Sequence, residues 1–145
     1  MGKYLVREQY LSKIRAGRDD TGVIKVITGM RRCGKSVILE LYAEELRQSG
    51  ISEEDIIFIN FEKFEFQKIN TSEQLNDYLH QRIDPNRRMS VLLDEIQDVK
   101  DWELSLSALN AEKNCDVYVT GSNSDMLSSQ LATRISGRHT EVEVF

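Results

Sequence analysis

The chain has 145 residues, of which 40 % are hydrophobic and 30 % charged, a composition typical of one folded domain and unlike that of a disordered chain. Its net charge of −5 argues against a surface that binds nucleic acid through overall positive charge, although a local basic patch at Arg31 and Arg32 remains. Two cysteines and two histidines support neither a disulfide framework nor a zinc site, and no apolar run approaches the roughly 18 residues of a membrane span, so we expect a cytoplasmic protein without membrane contact.

The first predicted elements are a helix and a strand. Apolar residues at helical spacing predict a helix over residues 4–14, followed by a polar loop at 17–22. The β-branched run at 23–28 predicts the first strand. This strand leads directly into the most informative stretch of the chain.

Residues 29–36 read GMRRCGKS and fit the pattern GxxxxGK[ST] at every fixed position. Glycines let such a loop wrap closely, and its N–H groups and those of the next helix then point at an anion. Lys35 is expected to reach the β- and γ-phosphates, and Ser36 to bind Mg²⁺. The residues that we expect to line the nucleotide are Gly29, Met30, Arg31, Arg32, Cys33, Gly34, Lys35, Ser36 and Val37.

Three segments follow the predicted phosphate loop. Residues 37–46 are helical in pattern, with Gly50 placed to cap the C-terminal end of the helix. The continuous apolar run at 56–61 is typical of a strand buried on both faces of a parallel sheet. In residues 62–70, apolar residues alternate with charged residues. The sequence leaves open whether this segment forms an irregular loop or a short extended excursion.

The second half continues the alternation of helix and strand. Thr71 or Ser72 can cap a helix that runs to residue 83. A strand is predicted at 89–94, and a helix that starts near 101 is predicted to end at 112.

Three more predicted elements complete the chain: a strand at 117–120, a helix at 124–135 and an edge strand at 140–145. Because strands alternate with helices, right-handed crossovers predict a three-layer α/β fold with a mainly parallel sheet and helices on both faces. Ligands bind at the carboxyl ends of such strands. The phosphate loop, Asp94 and Thr120 all lie at predicted carboxyl ends.

Asp94 and Glu95 directly follow an apolar strand segment. Asp94 is suited to the Mg²⁺ shell because a hard cation takes oxygen ligands, and Glu95 is suited to orient or deprotonate an attacking water. An apolar strand that ends in Asp-Glu is by itself more often a solvated strand end. The phosphate loop upstream is what favours the catalytic interpretation.

Two further segments carry polar residues that are candidates for contact with the phosphates. Thr120, Ser122 and Asn123 follow the fourth strand, where they can contact the γ-phosphate or the attacking water, or else form a turn and helix cap. Arg138 precedes the last strand, where it can stabilise charge on a transferring phosphoryl group or lie on the surface as an ordinary arginine. No [NT]KxD motif for guanine occurs, so ATP is favoured over GTP.

The segments GMRRCGKS, VLLDEIQDVKDWELSLSAL, VTGSNSDML and ISGR closely resemble the ATPase core of bacterial and archaeal AAA-type proteins with a GxRRxGK[ST] loop. The resemblance spans nearly the whole chain and implies the ASCE division of P-loop NTPases, with sheet order 5-1-4-3-2 and with ATP and Mg²⁺ as ligands. It also implies that Glu95 is the catalytic glutamate, the turn from Thr120 to Asn123 is sensor 1, and Arg138 is the candidate arginine finger.

The resemblance has consequences for partners. An arginine at the position of Arg138 generally acts on the nucleotide of a neighbouring subunit, which predicts a homo-oligomer. Family members usually continue into C-terminal domains that are suspected of binding DNA or another protein. The chain, residues 1–145, is therefore expected to be one ATPase domain at the N-terminus of a longer protein, with an unidentified protein or nucleic-acid partner.

The leading function is an Mg²⁺-dependent ATPase whose hydrolysis drives a conformational change. One alternative is a nucleotide-gated binding module with negligible turnover, and another is a small-molecule kinase. The Asp-Glu pair favours water as the acceptor, which argues against the kinase. We expect the chain alone to bind nucleotide but to hydrolyse it weakly, because closure over the nucleotide and an arginine in trans complete such sites.

Overall fold

The computed structural model describes residues 2–18, 20–29, 34–122 and 139–144, with side chains from residue 8 onward and without that of residue 139. Its helices and strands, in chain order, are α1 (Gly2–Ala16), β1 (Ile24–Thr28), α2 (Lys35–Gln48), β2 (Ile56–Asn60), α3 (Ser72–Arg82), β3 (Met89–Asp94), α4 (Trp102–Glu112), β4 (Cys115–Gly121) and β5 (His139–Glu143). Every predicted element in these ranges is present, and the predicted helix at 124–135 lies outside them.

The strands form one five-stranded sheet in the order β2-β3-β4-β1-β5. Each neighbouring pair is parallel. Counted from the other edge, this is the order 5-1-4-3-2 that the family resemblance implied, so that expectation is confirmed. The carboxyl ends of β1, β3 and β4 consequently lie at one edge of the sheet, which is where Gly29, Asp94 and Thr120 are.

Two apolar cores cover the two faces of the sheet. In β3, Val91 and Leu93 pack into the core that contains α3 and α4, whereas Leu92 packs into the core that contains α1 and α2. Successive side chains of a strand point to opposite faces, so a strand with helices on both sides is apolar over most of its length. The three-layer arrangement predicted from the sequence is confirmed.

Local capping signals fix several helix ends. Thr71 forms a capping box with Gln74 at the start of α3, and Gly50, with φ of 101°, follows α2 in the left-handed conformation that glycine adopts at low cost. The segment 62–70 is irregular and contains one short 3-10 turn at Phe64–Phe66. Within the described ranges, no helix has the combined length and apolar character that crossing a membrane requires.

A buried polar network lies near the amino ends of β1 and β4, away from the predicted site. Lys25 and Asp116 are each 2 % exposed and form an ion pair, and Lys25 Nζ also donates to the carbonyl of Asp20 at 2.7 Å. Tyr118 Oη donates to Asp116 Oδ2 at 2.6 Å and lies 2.7 Å from Tyr42 Oη. Burial, together with the Asp116 carboxylate, raises the pKa of Tyr118. The network thus ties α2 to the two central strands.

Candidate functional site

Lys35 is the central cation of the candidate site. It is the first residue of α2 and only 3 % exposed. Its Nζ donates to the carbonyl oxygen of Gly29 at 2.7 Å, lies 3.4 Å from Glu95 Oε1, and lies 3.4 Å from Ser122 Oγ. A single ammonium group therefore joins residues that follow β1, β3 and β4.

The start of α2 is shaped by Gly34. Gly34 has φ of 103° and ψ of 11°, a left-handed conformation that favours glycine, and its carbonyl accepts from Ile38 N–H at 3.0 Å. The first N–H groups of a helix have no partner within the helix, and its N-terminus carries partial positive charge. Ser36 and Val37 lie in this first turn, both partly buried. The turn is therefore suited to binding an anion.

Asp94 ends β3 and is fully buried. Its Oδ1 accepts a hydrogen bond from Thr120 Oγ1, which in turn accepts from Glu95 N–H at 2.8 Å. Asp94 Oδ2 is buried and has no hydrogen-bond partner among the described residues. An unpaired buried carboxylate oxygen is costly, and oxygen of this kind is the ligand that Mg²⁺ prefers. The site chemistry therefore fits a divalent cation.

The described part of the chain contains no group of three or more His, Cys, Asp or Glu residues placed to hold a metal. A magnesium site does not need such a group, because Mg²⁺ usually takes one or two carboxylates and fills its remaining positions with water and substrate phosphates. Asp94 and the hydroxyl of Ser36 are the residues that could supply protein ligands.

Glu95 has an unusual backbone conformation for a non-glycine residue. Its φ of 62° and ψ of 54° are left-handed, which costs about 1 to 2 kcal/mol, and such strain concentrates at functional sites. The side chain is 4 % exposed. Its Oε2 accepts from Ser122 Oγ at 2.9 Å and from the amide Nε2 of Gln97, while Oε1 lies beside Lys35. The carboxylate is thus held by three neighbours.

The structure brings six predicted site residues together, namely Gly29, Lys35, Asp94, Glu95, Thr120 and Ser122. Ser36 and Val37 lie one and two residues beyond Lys35 in the same helical turn. Gly34 directly precedes Lys35 as the N-cap of α2. The remaining predicted site residues fall outside the described ranges: Met30, Arg31, Arg32, Cys33, Asn123 and Arg138.

Sequence reasoning missed Gln97. Gln97 follows Glu95 by two residues in the short turn after β3. A glutamine at such a position is not distinguishable by residue type from an ordinary solvated turn residue. The one available signal was its position beside the Asp-Glu pair. Only the folded chain reveals that its amide contacts the Glu95 carboxylate.

Comparison with known proteins gives consistent matches. The sequence matches the family described as AAA domain over residues 21–145. It is 39 % identical over 147 residues to an uncharacterized protein of Haemophilus influenzae, covering 100 % of this chain and 36 % of that protein. It is 33 % identical over 122 residues to the uncharacterized protein MJ1544 of Methanocaldococcus jannaschii, covering 83 % of this chain and 26 % of that protein. The chain therefore spans well under half the length of these curated relatives.

Proposed function

The chain belongs to the AAA domain family, and on that premise we propose that it binds ATP with Mg²⁺ and hydrolyses it, coupling the nucleotide state to a conformational change. One observation carries the proposal. The buried ammonium of Lys35 lies 3.4 Å from the buried carboxylate of Glu95, directly beside a buried Asp94 with an unpaired oxygen. A cation, a base and a metal ligand at one sheet edge are the parts that phosphoryl transfer to water requires.

Nucleotide binding is assigned to the predicted phosphate loop, residues 29–36, and to the first turn of α2. We propose that the phosphates take the place of Gly29 O and Glu95 as partners of Lys35, because charge-assisted contacts with phosphate are stronger than the bond to a neutral carbonyl. Asp94 Oδ2 and the Ser36 hydroxyl would hold Mg²⁺. When bound, the metal neutralises charge on the phosphate oxygens.

In the proposed hydrolysis, Glu95 accepts a proton from water while the water oxygen bonds to the γ-phosphorus. The bond from that phosphorus to the bridging oxygen breaks, which leaves ADP and phosphate. Thr120 positions the backbone of Glu95 through its hydroxyl, and Ser122 orients the carboxylate. Once Lys35 turns towards phosphate, Glu95 Oε1 retains its contact with Ser122 Oγ at 3.2 Å and has a further lone pair that can take the proton.

We assign proposed roles to Asn123 and Arg138 from their positions in the sequence. Asn123 would contact the γ-phosphate or the water together with Ser122. Arg138 would act on the nucleotide of a neighbouring copy, so the active form would be a homo-oligomer. An arginine finger is worth about 10³ to 10⁵ in rate in other phosphoryl-transfer enzymes, which is why weak activity is expected of a monomer.

One alternative function is favoured by a specific observation. The Glu95 carboxylate is engaged by Ser122, Gln97 and Lys35 at once. If those contacts persist with ATP bound, the domain would act as a nucleotide-gated binding module with negligible turnover. Single-turnover cleavage of bound, labelled ATP distinguishes the two functions.

The binding part of the proposal is tested with Lys35→Ala. We expect ATP affinity to fall roughly tenfold or more, because losing a charge-assisted contact to phosphate costs on the order of 1.5 to 3 kcal/mol. Titration of labelled ATP in the presence of Mg²⁺ measures this. Lys68→Ala removes an exposed lysine and is the matched control, which should bind like the wild type. Equal affinity for wild type and Lys35→Ala would refute the assignment.

A further inference from the structure

The side-chain amide of Gln97 uses only one of its two polar atoms in a hydrogen bond to the described residues. Its Nε2 donates to Glu95 Oε2. Its Oε1 is buried and has no hydrogen-bond partner in the described part of the chain. Because the two atoms belong to one planar amide, fixing Nε2 on Glu95 also fixes the direction of Oε1. The amide therefore presents an unused acceptor next to the proposed base.

We propose that Gln97 is a positioning residue of the ATPase site: it orients the Glu95 carboxylate through Nε2 and accepts a hydrogen bond from the attacking water through Oε1. This inference rests on the proposed function. A water held by two acceptors, Gln97 Oε1 and Glu95 Oε1, directs both of its hydrogens away from the phosphate. Its lone pair is then aimed at the phosphorus, which is the orientation that in-line attack requires.

The turn that carries Gln97 is rigid enough for this role. Ile96 and Val99, on either side of it, are fully buried in the core. Val99 N–H donates to Ile96 O at 3.0 Å, and Asp98 N–H donates to Glu95 O at 3.2 Å. A side chain positions a reacting group well only when its own backbone is fixed by packing and hydrogen bonds.

The hydrogen bonds of Glu95 divide between its two oxygens in a way that supports the inference. Oε2 accepts from both Gln97 and Ser122, at 2.9 Å for Ser122. Oε1 lies 3.4 Å from Lys35 Nζ and 3.2 Å from Ser122 Oγ, so it is the more weakly held oxygen and can accept from a water when Lys35 binds phosphate. A buried carbonyl oxygen without a partner is unfavourable, and a bound water would supply the missing hydrogen bond.

The test compares affinity for ADP with affinity for ADP plus aluminium fluoride and Mg²⁺, an analogue of the transition state that includes the attacking water. In Gln97→Met, which keeps the length of the side chain but removes donor and acceptor, the gain in affinity from fluoride should fall about tenfold to a hundredfold, as expected for lost hydrogen bonds to charged groups. Affinity for ADP alone and the thermal midpoint should stay near those of the wild type.

Two variants sharpen the interpretation. Gln97→Glu has nearly the same shape but replaces the N–H donor by a second carboxylate next to Glu95, so it should lose at least as much as Gln97→Met. A purely steric role would leave Gln97→Glu like the wild type. Gln81→Met makes the same chemical change at an exposed site on α3 and should retain the full gain from fluoride.

Each outcome decides the inference. If ADP binds and fluoride strengthens binding equally in wild type and Gln97→Met, Gln97 has no positioning role and the proposed ATPase site is unaffected. If fluoride gives the wild type no gain, the chain assembles no site for Gln97 to serve and the inference is wrong. If neither ligand binds, the proposed function fails as well.

Discussion

Replacing Lys25 by methionine should strongly destabilise the fold, although Lys25 lies far from the candidate site. Lys25 and Asp116 are each 2 % exposed, so the substitution removes the ammonium group that pairs with the buried Asp116 carboxylate. Breaking a buried ion pair in this way costs about 3 to 5 kcal/mol. Domains of this size have only about 5 to 15 kcal/mol of stability, so the variant should be marginal.

The double variant Lys25→Met/Asp116→Leu tests the reasoning. It removes both charges together, and Tyr118 keeps its hydrogen bond with Tyr42, so the double variant should be much more stable than Lys25→Met alone. Urea unfolding followed by circular dichroism measures the free energy of unfolding of four proteins: the wild type, Lys25→Met, Asp116→Leu and the double variant. Thermal midpoints should fall by roughly 6 to 20 °C in the single variant.

The matched control is Lys68→Met, which removes an exposed lysine and should change stability by less than about 0.5 kcal/mol. A Lys25→Met protein within about 1 kcal/mol of the wild type would refute the argument, because the charge of Asp116 would then not depend on Lys25. So would a double variant as unstable as the sum of the two single variants.

Three further predictions concern catalysis and pH. Glu95→Gln should keep ATP affinity but lose single-turnover cleavage by a factor of about 10² or more, because the amide cannot accept a proton; a wild-type rate would assign the base elsewhere. Burial raises the pKa of the Cys115 thiol from 9.0 to about 11. The contribution of Cys115 to the free energy of unfolding should therefore be constant below about pH 9 and fall between pH 9 and 11, because the thiol ionises first in the unfolded chain, and Cys115→Ala should lose less stability than the wild type over that range. ATPase activity should rise with protein concentration and Arg138→Ala should cancel the rise, whereas turnover of about 1 per second in dilute monomer would refute a finger in trans.

The sequence by itself determined the order of the helices and strands and the segments that meet at the site. Runs or alternations of apolar residues predicted the strands β1 to β5, and helical spacing of apolar residues predicted the helices between them. Both patterns reflect which face of each element is buried, and burial is a property of the whole fold. The GxxxxGK[ST] pattern and the Asp94–Glu95 pair lie at strand ends, and parallel strands with right-handed crossovers must bring those ends to one edge. Gly50 and Thr71 marked helix ends because capping depends on neighbouring residues only.

The tertiary structure alone decided which side chains contact each other. The contact of Lys35 with Glu95 joins residues that are distant in the chain, and it depends on the register of β1, β3 and β4. The left-handed backbone of Glu95 and the contact that it allows with Gln97 have no local signal, because most residues of the same type adopt other conformations. Nothing in the sequence likewise distinguishes Lys25 from other strand residues. Its ammonium group is buried because Asp116 on the neighbouring strand pairs with it, and sequence patterns do not show which residues pair across a sheet.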